Sequence, residues 1–150
     1  LGVGSVSNYR FEVLHPYTII QLWDELLPHI ERVIKVSNDE FTAESIKSRA
    51  TSGNSLMITV FENDEIIAVT TAEVVTYDSG LKSLLIPIFA GDGMLDWGKQ
   101  ILELYTDMAK QLGCTELRGL AVRGGWMRIL KDYGWKESYT VISMPLGEKL

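Results

Sequence analysis

Glu73 is the carboxylate best suited to move a proton. It interrupts an otherwise apolar and Thr-rich run from Ile66 to Tyr77, where an acid can face a cleft and act as a general base. The same pattern also fits a solvent-facing position. Arg123 precedes Gly124-Gly125-Trp126. An arginine before a glycine pair at a helix start can bring its fork and the backbone amides to one phosphate, although a surface arginine ahead of a helix is common. Trp126 can stack on an adenine or a substrate, or belong to the apolar face of its helix. Cys114 has no histidine nearby in sequence and reads as a small buried hydrophobe rather than a nucleophile. His15 and His29 show no metal spacing with each other or with Cys114, and zinc, P-loop and dinucleotide fingerprints are missing, so no metal is expected. Glu116 and Arg118 alternate with Leu117 and read as the exposed side of a strand.

Composition bounds what these residues can serve. The chain has 150 residues, 46% hydrophobic and 23% charged, which suits one globular domain with an ordinary core. A net charge of -6 argues against non-specific binding to nucleic acid or to an anionic membrane. No apolar run approaches the roughly 20 residues that span a bilayer. A single cysteine excludes an internal disulfide and suits a reducing compartment, so the cytoplasm is the expected location. Residues Leu1 to Asn8 lack the charged start and long apolar run of a signal peptide.

The elements that must position these residues follow from periodicity. Leu1 to Asn8, rich in glycine and serine, reads as a loose arm, leaving residues 9–150 as the domain. Arg10 to Leu14 reads as a strand ended by His15-Pro16. From Thr18 the apolar residues Ile19, Leu22, Trp23, Leu26, Leu27, Ile30, Val33 and Ile34 recur at helical spacing, with Pro28 expected to split or kink the helix. Thr42 is a plausible N-cap for a short helix through Arg49. Ser55 to Phe61, Ile66 to Tyr77 and Lys82 to Ala90 read as consecutive antiparallel strands, the first two joined as a hairpin through Glu62-Asn63-Asp64-Glu65. Gly91-Asp92-Gly93 leads into a helix with Trp97, Ile101, Leu104 and Met108 on one face. Gly113 and Gly134 stand where helix-ending left-handed residues are expected, and Asp96 is a good N-cap candidate. Thr115 to Val122 has room for one short strand, and a final strand is predicted up to Met144-Pro145-Leu146.

Strand, helices, three antiparallel strands, helix, strand, helix, strand: this order resembles the GNAT superfamily of acyl-CoA-dependent N-acyltransferases. The stretch Arg123 to Trp135 is similar to the family's late helix, which commonly ends Leu-Tyr-x-x-x-Gly-Phe, and to small phage or prophage GNAT-like proteins with Arg-x-Gly-Trp at that helix start. The resemblance implies an α/β (α+β) single domain. Its mixed central sheet has antiparallel N-terminal strands, a splayed parallel central pair and flanking helices. It also implies that acetyl-CoA lies between the fourth strand (Lys82 to Ala90) and the fifth (Thr115 to Val122), with an unknown amine as acceptor. Ile88 and Phe89 would hold the pantetheine arm; Gly91, Gly93, Trp97, Gly98, Arg123 and Trp126 would serve the rest of the cofactor. Glu73 would be the base and Tyr133 a candidate acid. The phage likeness implies an alternative: a non-catalytic structural or accessory module, in contact with phage or host proteins and located within a virion.

The chain departs from the family pattern at specific residues. Aligning the phosphate loop, Gln/Arg-x-x-Gly-x-Gly/Ala, on Gly93-Met94-Leu95-Asp96-Trp97-Gly98 puts Gly93 at the Arg or Gln and Asp96 at the middle glycine. An aspartate there adds like-charge repulsion of about 1 kcal/mol at ~4 Å in water. Leu130 stands where many members have the tyrosine that reprotonates the thiolate, and Tyr133, one turn on, also suits packing with Trp126, Ile129 and Leu130. Pro87 inside the fourth strand fits a bulge at the splay point and removes one N–H that could polarise the thioester.

Overall fold

Nearly continuous burial along the central strands gives the sheet two apolar faces, and helices cover both. The computed structural model describes residues 3–6, 8–37, 39–120 and 124–147. In chain order the elements are β1 (Val3–Val6), β2 (Tyr9–Val13), α1 (Pro16–Gln21), α2 (Trp23–Val36), α3 (Ala43–Thr51), β3 (Leu56–Glu62), β4 (Glu65–Thr76), β5 (Lys82–Gly91), α4 (Met94–Gln111), β6 (Glu116–Gly119) and α5 (Gly124–Lys131). The strands form one six-stranded sheet in sequence order. Every neighbouring pair from β1 to β5 is antiparallel, and β5–β6 is parallel. The mixed sheet with a parallel β5–β6 pair is the fold the sequence predicts.

On one face α4 lays Trp97, Ile101 and Tyr105 against Phe11, Ile58, Val60, Leu84 and Ile86. On the other, Ile19, Trp23, Leu26, Ile30 and Ile46 of α1 to α3 meet Met57, Phe61, Val69 and Ile88. Inside the first layer the Tyr105 hydroxyl lies 2.5 Å from Thr70 Oγ1, which itself reaches the carbonyl of Ile58 at 3.0 Å. A hydroxyl has one hydrogen. Thr70 gives its hydrogen to Ile58, so Tyr105 is the donor to Thr70.

Local signals hold where the chemistry is local. Asn63 and Asp64 both have positive φ (50° and 68°), which suits the tight turn of the β3–β4 hairpin. Thr42 caps α3 in a reciprocal box with Ser45. Gly113 and Gly134 take positive φ just past α4 and α5.

Four expectations are corrected. Val3–Val6 pairs with β2 rather than forming a loose arm. The helix pair divides at Leu22, six residues ahead of Pro28; Leu22 N–H donates to Thr18 while its carbonyl accepts from Leu26, so it ends α1 and starts α2. Pro28 stays inside α2 because it frees only the carbonyl of Asp24, an exposed residue, while Leu26 and Ile30 anchor the buried side. Asp96 is not the N-cap of α4; Gly93 is, at φ 80°, and Asp96 sits in the first turn. The final strand is not formed: residues 136–146 carry no strand, and Val141 and Ile142 are 79% and 89% exposed. Trp135 is held by its N–H on the Leu130 carbonyl and by its ring against Gly119. Beyond it, the neighbouring edge strand β6 is only four residues long and offers little apolar surface to a partner.

Candidate functional site

The parallel ladder couples Ser83, Leu84, Leu85 and Ile86 to Glu116, Leu117, Arg118 and Gly119, and ends there. The next residue on β5 is Pro87. On the opposite side of β5 the register to β4 shifts: Thr71 pairs with Ile88 but Glu73 with Leu85, so one extra residue is held on β5. Pro87 and Ile88 consequently both face the α3 side, while Ile86 and Phe89 face α4. A proline belongs at such a bulge, having no N–H to give to a ladder. The sequence's expectation for Pro87 is met in its structural half. Beyond the bulge β5 runs on to Gly91 with no β6 partner among the described residues.

Glu73 faces the α3 side of this bulge. Its side chain is only 13% exposed, and its carboxylate is ion-paired with the Arg49 guanidinium of α3. The two border a shallow hollow with Phe41, Ile46, Ser55, Thr71, Pro87 and Ile88. Glu73 is thus in a cleft, the first of the two positions its sequence pattern allows.

The remaining candidates are placed unequally. The Ile88 side chain is fully buried among α1 to α3, so its backbone is what a ligand beside β5 can reach. Phe89 is half-buried and stacks on Trp97, with ring centroids 5.9 Å apart and planes 7° from parallel. Trp97 is wholly buried and its indole N–H donates to the Asp92 carbonyl at 2.8 Å. It braces the loop from the core side and offers a ligand no side-chain surface. Gly91 permits close strand approach: a Cβ there would lie 2.3 Å from the Ala68 Cβ, at a φ of 150°. Gly98 is buried with Met94 packed over it. Arg123 lies outside the described residues, as does the Trp126 side chain. Tyr133 is 40% exposed in the turn after α5, so the core packing expected for it is not found, while Leu130 is buried. Cys114 is buried as well.

The first turn of α4, directly after β5, presents orphan backbone amides as a helix N-terminus does. Acidic groups surround it. Asp96 accepts from the Tyr9 hydroxyl at 3.4 Å, and Asp92 is bridged by both terminal nitrogens of Arg32, at 3.1 and 3.3 Å. That hydrogen-bonded guanidinium holds the Asp92 carboxyl below its ordinary range. Arg32 offsets one of the two charges.

Sequence reasoning did not find Arg49, Arg32 or the exposed face beyond α3. On that face Glu73, Leu85 and Arg118 form one row across β4, β5 and β6, and Ser83 and Glu116 pair in the next. The Ser83 hydroxyl donates to Glu116 at 2.5 Å, Arg118 Nε also binds Glu116, and the Arg118 guanidinium lies 4.4 Å from the Tyr77 ring centroid. The Ser83 hydroxyl, and then Arg118, hold Glu116 below the usual carboxylate range. The alternation of Glu116 and Arg118 was visible in sequence, but both are half-buried rather than exposed, and their partners Ser83 and Tyr77 were not visible.

Comparison with solved structures decides the architecture. An aminoglycoside acetyltransferase from an uncultured soil metagenomic sample, in complex with trehalose, superposes with a TM-score of 0.69 at 15% identity, covering 95% of this chain and 97% of that one. The chain has the GNAT fold. A predicted acetyltransferase of Clostridium acetobutylicum, solved with acetyl-CoA, matches with a TM-score of 0.68 at 12% identity over 92% of this chain and 96% of that one. Glucosamine-6-phosphate N-acetyltransferase from Arabidopsis thaliana matches with a TM-score of 0.65 at 16% identity over 94% and 100%. No family model matches the sequence, and no curated protein does. In GNAT terms β5 and β6 are the parallel pair, and the extra strand β1 lies at the far edge of the sheet. Among the described residues no helix is long and apolar enough to cross a membrane, and no group of three His, Cys, Asp or Glu could hold a metal ion.

Proposed function

We propose that this chain is an acetyl-CoA-dependent N-acetyltransferase acting on an amine. The observation that carries the reading is the parting of β5 from β6 at Pro87 with Glu73 one strand away on the α3 side. The splay gives an extended thioester arm a backbone to lie along. The cleft at Glu73 gives an amine a route from the other face. Two solved neighbours supply matching chemistry: one was solved with acetyl-CoA and another acetyltransferase with sisomicin.

In this reading the donor supplies an acetyl group as a thioester, and the protein supplies orientation and proton transfer. The β5 backbone from Ile88 to Gly91 orients the arm, and the α4 amides with Gly93, together with Arg123, take the phosphates. Glu73, directly or through a water, accepts the proton that an alkylammonium must lose before its nitrogen lone pair can attack. The new C–N bond forms as the C–S bond breaks, and the thiolate takes a proton from Tyr133 or solvent. Leu130, being apolar, cannot donate it. Nothing in the structures named above favours a non-catalytic phage component.

The test is release of CoA thiol from acetyl-CoA in the presence of a panel of primary amines. Amine-dependent thiol release that Glu73→Gln removes supports the reading. Thiol release that no amine stimulates contradicts it.

A further inference from the structure

The floor beyond α3 carries a cation that is ion-paired at one edge and open at the other. Arg118 is 23% exposed, bound through Nε to Glu116 and laid over the Tyr77 ring. Glu116 is in turn tied to the buried Ser83 hydroxyl. Among the described residues no acceptor takes the hydrogens on the two η nitrogens of Arg118. A guanidinium fixed at one edge and one face, with its forked edge unused, is pre-organised for a planar or tetrahedral oxyanion. The aromatic contact lowers the ordering cost of the long side chain.

Its position connects it to the proposed reaction. Arg118 pairs in register with Leu85, and Leu85 with Glu73, so the three side chains leave the same sheet face in one row. Strand spacing of about 4.8 Å puts the Glu73 and Arg118 backbones roughly 10 Å apart. Arg49 on the other side of Glu73 gives one η nitrogen to that carboxylate. An acceptor lying over Leu85 would therefore meet a carboxylate at one end and an uncommitted guanidinium edge at the other.

We propose that the acceptor is an amine that also bears an anionic group, carboxylate or phosphate, with the anion gripped by Arg118 and the amine delivered to Glu73. This rests on the acetyltransferase reading, and it adds Arg118 as the residue that determines specificity. Purely cationic polyamines would leave the Arg118 edge facing like charge.

Two matched pairs of probes test it: 6-aminohexanoate against 6-aminohexanamide, and phosphoethanolamine against ethanolamine. Their binding is measured by calorimetry to the protein saturated with CoA, where no transfer competes, and to the free protein. The anionic member of at least one pair should bind at least tenfold tighter than its neutral partner. Arg118→Gln should bring that ratio to near one, and Arg118→Lys, which keeps the charge without the fork, should retain part of it. Preference in one pair alone identifies the anion as carboxylate or phosphate. The proposal is overturned if neutral partners bind as well, if the ratio survives Arg118→Gln, or if no anionic probe binds at about 10 mM. Failure of acetyl-CoA itself to bind would instead remove the acetyltransferase reading, and the free-protein titrations would still score Arg118.

Discussion

Arg49 of α3 and Glu73 of β4 are ion-paired across the hollow beside the β5 bulge, and Glu73 is the less exposed of the two. In the proposed reaction the arginine holds in place the carboxylate that takes the amine's proton. Replacing Glu73 with Gln keeps the shape and removes the proton acceptor. Turnover should fall about 100-fold, in the range typical of a lost general base, with acetyl-CoA affinity unchanged. Steady-state kinetics beside calorimetry would show it, and an equal loss in both would mean that Glu73 serves the donor site instead.

The Thr70–Tyr105 contact predicts an asymmetry. Tyr105→Phe removes a donor and leaves Thr70 bonded to Ile58, so it should cost about 1 kcal/mol. Thr70→Val strands the Tyr105 hydroxyl in a fully buried site and should cost roughly 2 kcal/mol. Urea unfolding of the two variants ranks them; equal losses would contradict the assigned donor direction. Burial also pushes the Tyr105 phenol well above its ordinary range, so this contact stays protonated through neutral and mildly alkaline pH.

These features differ in how far they could be read from the sequence, for a physical reason. The Asn63-Asp64 turn, the Thr42 cap and the helix-ending Gly113 and Gly134 depend on residues close in the chain, so local chemistry specifies them. Pro87 was legible as a bulge because proline cannot occupy an ordinary ladder position. The Arg49–Glu73 and Ser83–Glu116 contacts join residues from separate elements, and no spacing rule brings them together, whereas Glu116 and Arg118 are an i,i+2 pair within β6 whose alternation the sequence displays. Leu22, rather than Pro28, divides the first helices because the buried face of α2 runs past the proline. The expected last strand has the right residues, but a short β6 gives Val141, Ile142 and Met144 no surface to cover.

Acid stability should depend on Ser83. Glu116 is held below its ordinary carboxylate value in the folded chain, so its contribution is complete above that ordinary value, about 4.3, and is lost as pH falls through the folded value. Ser83→Ala weakens the hold. The stability difference between the parent chain and the variant should be flat from neutral pH down to mild acid, then shrink below it. Urea midpoints across this range check the sign; a difference that grows in acid would refute it.

Gly91→Ala should destabilise by about 2–4 kcal/mol, because the methyl would overlap Ala68 and the backbone there favours glycine. Thermal unfolding reads this directly, and an unshifted midpoint would mean that β4 and β5 can part at this end.

The gap between β5 and β6 as a site for acyl-CoA is the claim on which the rest depends, and titration of the protein with acetyl-CoA tests it most directly. Saturable binding is expected, with stabilisation of about 2.7 kcal/mol at a concentration 100 times the dissociation constant. Asp96→Asn should tighten it several-fold, by relieving about 1 kcal/mol of repulsion at the phosphate end. Absence of binding at millimolar acetyl-CoA, in the parent chain and in Asp96→Asn alike, would contradict the account.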